Sequence, residues 1–167
     1  YKSVVQSNGD DFNQWANEAW HEYGIRDIVL VGSPSQQNNI SLPLGKAYET
    51  LVANENDFFI GGITIAERHA NKGNEHAKLI EKHQQGCNFF ISQAIYNPQA
   101  TIDMLTRYAI ECQQQGIKPQ RIILTFSPCG SMKTLEFIEW LGVSVPEATS
   151  LRILNAERPL YESIRIC

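Results

Sequence analysis

Two short apolar runs constrain this chain more than anything else in it: Phe58-Phe59-Ile60-Gly61-Gly62-Ile63-Thr64-Ile65 and Asn88-Phe89-Phe90-Ile91-Ser92-Gln93. Neither alternates apolar with polar residues, which is the pattern of strands buried on both faces in a helix-covered parallel sheet. Between them lie a polar segment, Ala66-Glu67-Arg68-His69, and a helical pattern from Lys72 to Gln85 closed by Gly86. Two parallel strands joined by a helix make a βαβ unit. Both strands then point the same way, so Glu67, Arg68 and His69 share a rim with Gln93, Tyr96 and Asn97. In α/β folds that carboxyl-end rim is where ligands bind.

The same rhythm extends outward along the chain. Ser3-Val4-Val5 reads as the tail of an earlier strand. Asp10-Asp11 reads as the cap of a helix carrying Phe12, Trp15, Ala16, Ala19, Trp20 and Tyr23 at helical spacing, closed by Gly24. Ile25 to Val31 is a buried strand ending at Gly32-Ser33-Pro34, and the Gln- and Asn-rich stretch Ser35 to Ser41 is a loop. Leu44 to Val52 gives a short helix, and the crossover helix should bury Ala77, Leu79 and Ile80. Pro98 starts a helix with Ile102, Leu105, Tyr108, Ala109 and Cys112 on one face; Gly116 ends it. Arg121 to Phe126 is a further strand. The Ser127-Pro128-Cys129-Gly130 turn leads to a helix carrying Met132, Leu135, Ile138, Trp140 and Leu141, and the tail from Val145 is helical.

Four strands alternating with helices predict an α/β protein with a parallel sheet, a single (β/α) domain over residues 1–167. A complete eightfold barrel takes about 250 residues. The chain is therefore either a smaller open sheet or the middle and later portion of a TIM-type (β/α)8 barrel. In the second case the other strands come from a further segment, an oligomer or a partner subunit.

A net charge of -4 gives no electrostatic reason to expect nucleic acid or a membrane surface as partner. No apolar run approaches the roughly 20 residues that span a bilayer, and no signal peptide opens the chain. Cys87, Cys112, Cys129 and Cys167 show no CxxC spacing, which suits unpaired thiols in a reducing compartment. The expected location is the cytoplasm.

Candidate chemistry is sparse. His69, His76 and His83 recur every seven residues, but seven residues of continuous helix rise roughly 10 Å, too far for one zinc whose ligands lie about 2 Å away. No metal site is expected, and His76 and His83 read as solvated helix residues. His69 stands apart because it shares the rim with Glu67 and Arg68. No GxGxxG, Walker or GxSxG pattern occurs; Gly61-Gly62 marks close packing or a bulge inside a strand. Cys129, at a strand-end turn, reads as structural. Gln93 ends an apolar strand, where its amide must find partners: it either holds a ligand or ties down a loop.

Taken together, Gly62-Ile63-Thr64-Ile65-Ala66-Glu67-Arg68-His69, the Leu79…Lys82 helix, Gly86-Cys87-Asn88-Phe89-Phe90-Ile91-Ser92-Gln93 and Tyr96-Asn97 resemble the methylenetetrahydrofolate reductase family. Gly116-Ile117, Ile122-Ile123, Pro128, Lys133 and the segment from Val143 to Pro146 extend the similarity over roughly Asp27 to Leu154. The resemblance implies a β/α barrel holding FAD, reduced by a nicotinamide donor, which passes hydride to methylenetetrahydrofolate. By position, Gln93 and Glu67 would be catalytic, and Gln93 and Met132 would border the folate. Gly32, Ser33, Tyr48, His69, Lys78 and Lys82 would hold the flavin.

The sequence also departs from that family. Val31-Gly32-Ser33 stands where the family has Arg-Gly-Asp, and Ala66 replaces Tyr-Pro before the glutamate. Lys78 and Glu81 replace an asparagine and an arginine on the flavin-phosphate side, and Met132 replaces a phenylalanine beside the substrate. Two readings are open. One is a flavin-dependent oxidoreductase of one-carbon metabolism. The other is a divergent homologue that keeps the fold and acts as a folate- or partner-binding subunit.

Overall fold

Strand formation tracks the apolar runs. The structure, a computed structural model, describes residues 1–5, 7–32 and 42–166; Ser33 and the loop expected over residues 35–41 lie outside them, as does Cys167. Among the described residues a five-stranded parallel sheet has the order β1 (Lys2–Ser3), β2 (Asp27–Val31), β3 (Phe59–Thr64), β4 (Phe89–Ala94) and β5 (Arg121–Thr125). Helices α1 (Gly9–His21), α2 (Leu44–Ala53), α3 (Ala66–Lys72), α4 (Glu75–Gln84), α5 (Pro98–Gln115), α6 (Met132–Trp140), α7 (Glu147–Leu154) and α8 (Pro159–Ile166) alternate with these strands or come after them. The chain is an α/β protein. The strand suspected at Ser3-Val4-Val5 is β1, pairing Lys2 with Leu30 and Ser3 with Val31. No helix among the described residues is long and apolar enough to cross a membrane.

Two compact units emerge. The first comprises residues 1–63, 78–91 and 118–122, and the second residues 64–77, 92–117 and 123–167. In the first, β2 and β3 pair in register from Asp27–Phe59 to Leu30–Gly62. α1 lays Phe12, Ala16 and Ala19 against the core, and α2 lays down Ala47, Tyr48 and Leu51. The paired glycines of β3 are a packing device. A Cβ on Gly61 would stand 2.5 Å from the Phe89 ring, and one on Gly62 would stand 2.8 Å from the Tyr48 hydroxyl. Gly86 turns α4 into β4 with φ 106, a left-handed geometry that favours glycine, and Val52 lies where its Cβ would be.

The second unit holds the ends of β3, β4 and β5 together with the helices beyond β4 and β5. Its core is Tyr96, Cys129, Leu135, Ile138, Val143 and Ile153. Asn97 caps α5, its Oδ1 accepting from Ala100 N–H at 3.2 Å, and Gly116 ends α5 in the left-handed conformation. Cys87, Cys112 and Cys129 are buried free thiols, in line with the reading of unpaired cysteines.

Several local expectations are corrected. The crossover is two helices, because Gly73 caps α3 at φ 67 and α4 starts afresh at Glu75. Ala77 faces outward, while Leu79 and Ile80 are buried as expected. On α5 Tyr108 and Cys112 are buried as expected, together with Ala100, Thr101 and Met104; Leu105 is half-buried, and Ile102 and Ala109 are exposed. Apolar character favoured Ile102 there, but Thr101 and Met104 fill the interior. Asn8, rather than Asp10 or Asp11, caps α1, which ends at His21 and leaves Tyr23 exposed. On α6 only Leu135 and Ile138 are buried; Met132, Trp140 and Leu141 are exposed. The helical tail divides into α7 and α8 at a turn over residues 155–158.

Candidate functional site

The second unit carries the rim. β3 ends at Thr64, whose hydroxyl donates to Met104 Sδ at 3.2 Å, and the next residue, Ile65, donates its N–H to Glu75 Oε1 at 3.1 Å. Glu75 is fully buried and opens α4, so it fastens the start of one helix to the end of the preceding strand. The apolar patterns gave no sign of this residue. An acid immediately after Gly73-Asn74 is the signal that marks a second helix start.

Glu67 lies in the first turn of α3, half-buried, where the helix dipole favours a carboxylate. Burial nevertheless pushes its pKa up, opposed by a backbone hydrogen bond. His69, on the same helix, is buried. Its Nδ1 stands 3.4 Å from Nδ1 of His76, with the two rings 5.1 Å apart and near-perpendicular. Burial lowers the His69 pKa, and His76 and Arg107 lower it further, against the opposing pull of Asp103 and Glu75. His76 is half-buried in this pair rather than solvated, since the break at Gly73 turns it back towards His69. His83, in the first unit, is likewise not a solvated helix residue: it is half-buried with its ring within reach of the Cys87 carbonyl and the Gln120 amide.

Gln93 ends β4. Its Nε2 donates to the Leu141 carbonyl at 3.3 Å, and its Oε1 is buried with no hydrogen-bond partner among the described residues. A carbonyl can only accept, so the amide nitrogen must face Leu141 and the amide oxygen must face away from it. Both expectations for this side chain thus have a counterpart. One end ties down the C-cap of α6, and the other presents an unused acceptor. The anchoring partner lies 48 residues away, beyond the reach of local pattern. Nearby in sequence, the Tyr96 hydroxyl donates to the Ser127 carbonyl, which fixes the turn after β5. Met132 begins α6 and is 54% exposed.

The other positions singled out lie in the first unit. Gly32 comes directly after β2, with Leu44 so close that a Cβ would stand 3.3 Å from it. Tyr48 is fully buried in the core beneath Gly62, its hydroxyl beside the Cys87 thiol, and burial drives its pKa strongly upward. Burial also pushes the Cys87 thiol up to about 11, against the lowering influences of Tyr48 and Lys82. Lys82 Nζ donates to the Ile63 carbonyl at 2.6 Å, and Lys78 is half-buried on α4. Lys82 therefore serves the end of β3 directly. Among the described residues no three His, Cys, Asp or Glu side chains converge as a metal-ligand set.

No family model and no curated protein matches the sequence. Among solved structures, the chain is similar to an uncharacterized protein from Clostridium thermocellum that binds two copies of 5-methyl-5,6,7,8-tetrahydrofolic acid. The two share 34% sequence identity at a TM-score of 0.82, over 99% of this chain and 56% of that one. The chain therefore spans little more than half the length of that protein.

Proposed function

We propose that this chain binds a reduced folate of the methyltetrahydrofolate class, as part of a (β/α)8-type barrel. The observation that carries the proposal is the similarity to a protein that binds methyltetrahydrofolate, 34% identical across 99% of this chain. The Gln93 amide supplies a recognition element of the right chemistry. A pterin edge presents N–H donors, and a buried oxygen with no partner gains most from accepting one. The hydrogen bond to Leu141 holds that amide in the accepting orientation before ligand arrives, which reduces the ordering cost of binding.

The barrel reading draws on the edge of the sheet. β5 is last in strand order; Ile123 and Leu124 are exposed along it and Phe126 just after it, as is Trp140 on α6. Apolar residues concentrated at a strand edge fit further βα units packing there, and the folate-binding relative is longer than this chain.

Of the two readings drawn from the sequence, the folate-binding subunit has this support. The flavin-dependent reductase rests on the motif resemblance alone, and descent from the methylenetetrahydrofolate reductase family is part of the proposal on the same motifs. The test is calorimetric titration of the full-length polypeptide, first with 5-methyltetrahydrofolate and then with FAD. The proposal expects saturable heat from the folate without added flavin. No saturable folate binding refutes it, and stoichiometric FAD uptake with an absorbance band near 450 nm returns the reductase reading.

A further inference from the structure

His69 and His76 present a geometry that their sequence spacing concealed. Seven residues along one continuous helix would hold two histidines far apart. Here Gly73 ends α3 in the left-handed conformation, its N–H donating to the His69 carbonyl at 2.7 Å, and α4 begins two residues later. The reversal brings Nδ1 of His69 to 3.4 Å from Nδ1 of His76.

That distance admits two readings. Hydrogen bonds from N–H donors are commonest at about 2.9–3.0 Å. Two nitrogens bound to one tetrahedral zinc at about 2.0–2.1 Å stand roughly 3.3–3.4 Å apart. The observed separation lies at the long end for a hydrogen bond between the rings and equals the bite of a chelate. The pair opens onto a cleft of about 630 Å³ that is also lined by Asp103, Arg107, Glu111 and Gln114. An ion can therefore reach it from solvent. Asp103 and Glu111 oppose the single positive charge of Arg107, and the Asp103 carboxylate is steadied by Gln99 Nε2 at 2.8 Å.

We propose that His69 and His76 chelate a divalent transition-metal ion of the zinc class across the Gly73 joint. Two imidazoles from separate helices supply the protein ligands, and water from the cleft completes the shell. The ion acts as a clip that holds the end of α3 against the start of α4. Imidazole suits zinc, copper and nickel, whereas magnesium and calcium prefer oxygen ligands.

The experiment is calorimetric titration of tag-free, chelator-stripped, full-length protein with zinc chloride, without folate, so that it stands or falls separately from folate binding. One zinc per chain is expected, together with a higher melting temperature and no comparable response to magnesium. Changes outside the ligand shell already weaken metal sites about 10–100-fold, so His76→Ala, which removes a ligand, should weaken binding by at least about tenfold. His76→Gln, which keeps a polar group at this half-buried position, should do the same while melting like the metal-free parent. Absence of zinc uptake by the parent, or parent-like uptake by both variants, overturns the proposal.

Discussion

Adding one methyl group to Gly61 tests how the two central strands pack. Gly61 has an ordinary strand backbone, so Gly61→Ala carries no conformational penalty and, elsewhere, would stabilise by about 0.4–1 kcal/mol through the unfolded chain. Here the new Cβ would lie 2.5, 2.8 and 2.9 Å from three ring atoms of Phe89. That ring cannot simply withdraw, because it is buried and stacked on Phe59 at 5.1 Å with 13° between the planes. With ring atoms at 2.5–2.9 Å the clash falls in the upper part of the overpacking range, about 2–3 kcal/mol, which exceeds the entropic gain. For a chain of this size the net loss should lower Tm by roughly 2–10 °C. Thermal unfolding monitored by circular dichroism reads the shift. Phe89→Leu in the Gly61→Ala background should recover part of the loss, as contacting residues are non-additive. An unchanged or raised Tm in Gly61→Ala would refute the packing argument.

Other consequences can be checked with the same protein. Burial pushes the Cys87 thiol from 9.0 up to about 11, so the folded state favours the neutral form. That stability is fully present below pH 9 and is lost as pH rises towards 11, at most about 3 kcal/mol; urea unfolding at pH 8 and about 10.5 should show a larger loss in the parent than in Cys87→Ala, where Tyr48 and Cys112, both raised by burial, still contribute. Ser131 caps α6 by accepting from Thr134 N–H at 3.2 Å, so Ser131→Ala should cost about 1 kcal/mol and Ser131→Asp much less, as measured by denaturant midpoint. Gln93→Leu removes the oxygen that would accept from the pterin, together with the donor to the exposed Leu141 carbonyl. It should weaken methyltetrahydrofolate binding about tenfold to a hundredfold with little change in Tm. A drop in Tm with affinity intact would reduce Gln93 to an anchor.

The centre of the sheet was legible because β2, β3 and β4 are doubly buried. Ile28 to Leu30, Ile60 to Gly62 and Phe89-Phe90 show their position by lacking alternation, and Gly24, Gly86 and Gly116 each mark a helix end with positive φ. The features that escaped were set by tertiary partners or by one local break. Gly73 looks like a tolerated glycine within a helical pattern, yet it divides α3 from α4 and redirects His76. On α5 Tyr108 and Cys112 lie inward as their spacing suggests, but Thr101 and Met104 pack inward in place of Ile102 and Ala109. Nothing local to Gln93 announces the Leu141 carbonyl, and nothing local to Tyr48 announces that β3 covers it. Local pattern carried the elements; the partners of polar side chains required the fold.

The most direct measurement is a crystal structure of the full-length protein with 5-methyltetrahydrofolate. The account predicts a pterin N–H within about 2.7–3.2 Å of Gln93 Oε1, with Gln93 Nε2 still on the Leu141 carbonyl. A bound folate whose pterin makes no hydrogen bond to Gln93 contradicts it.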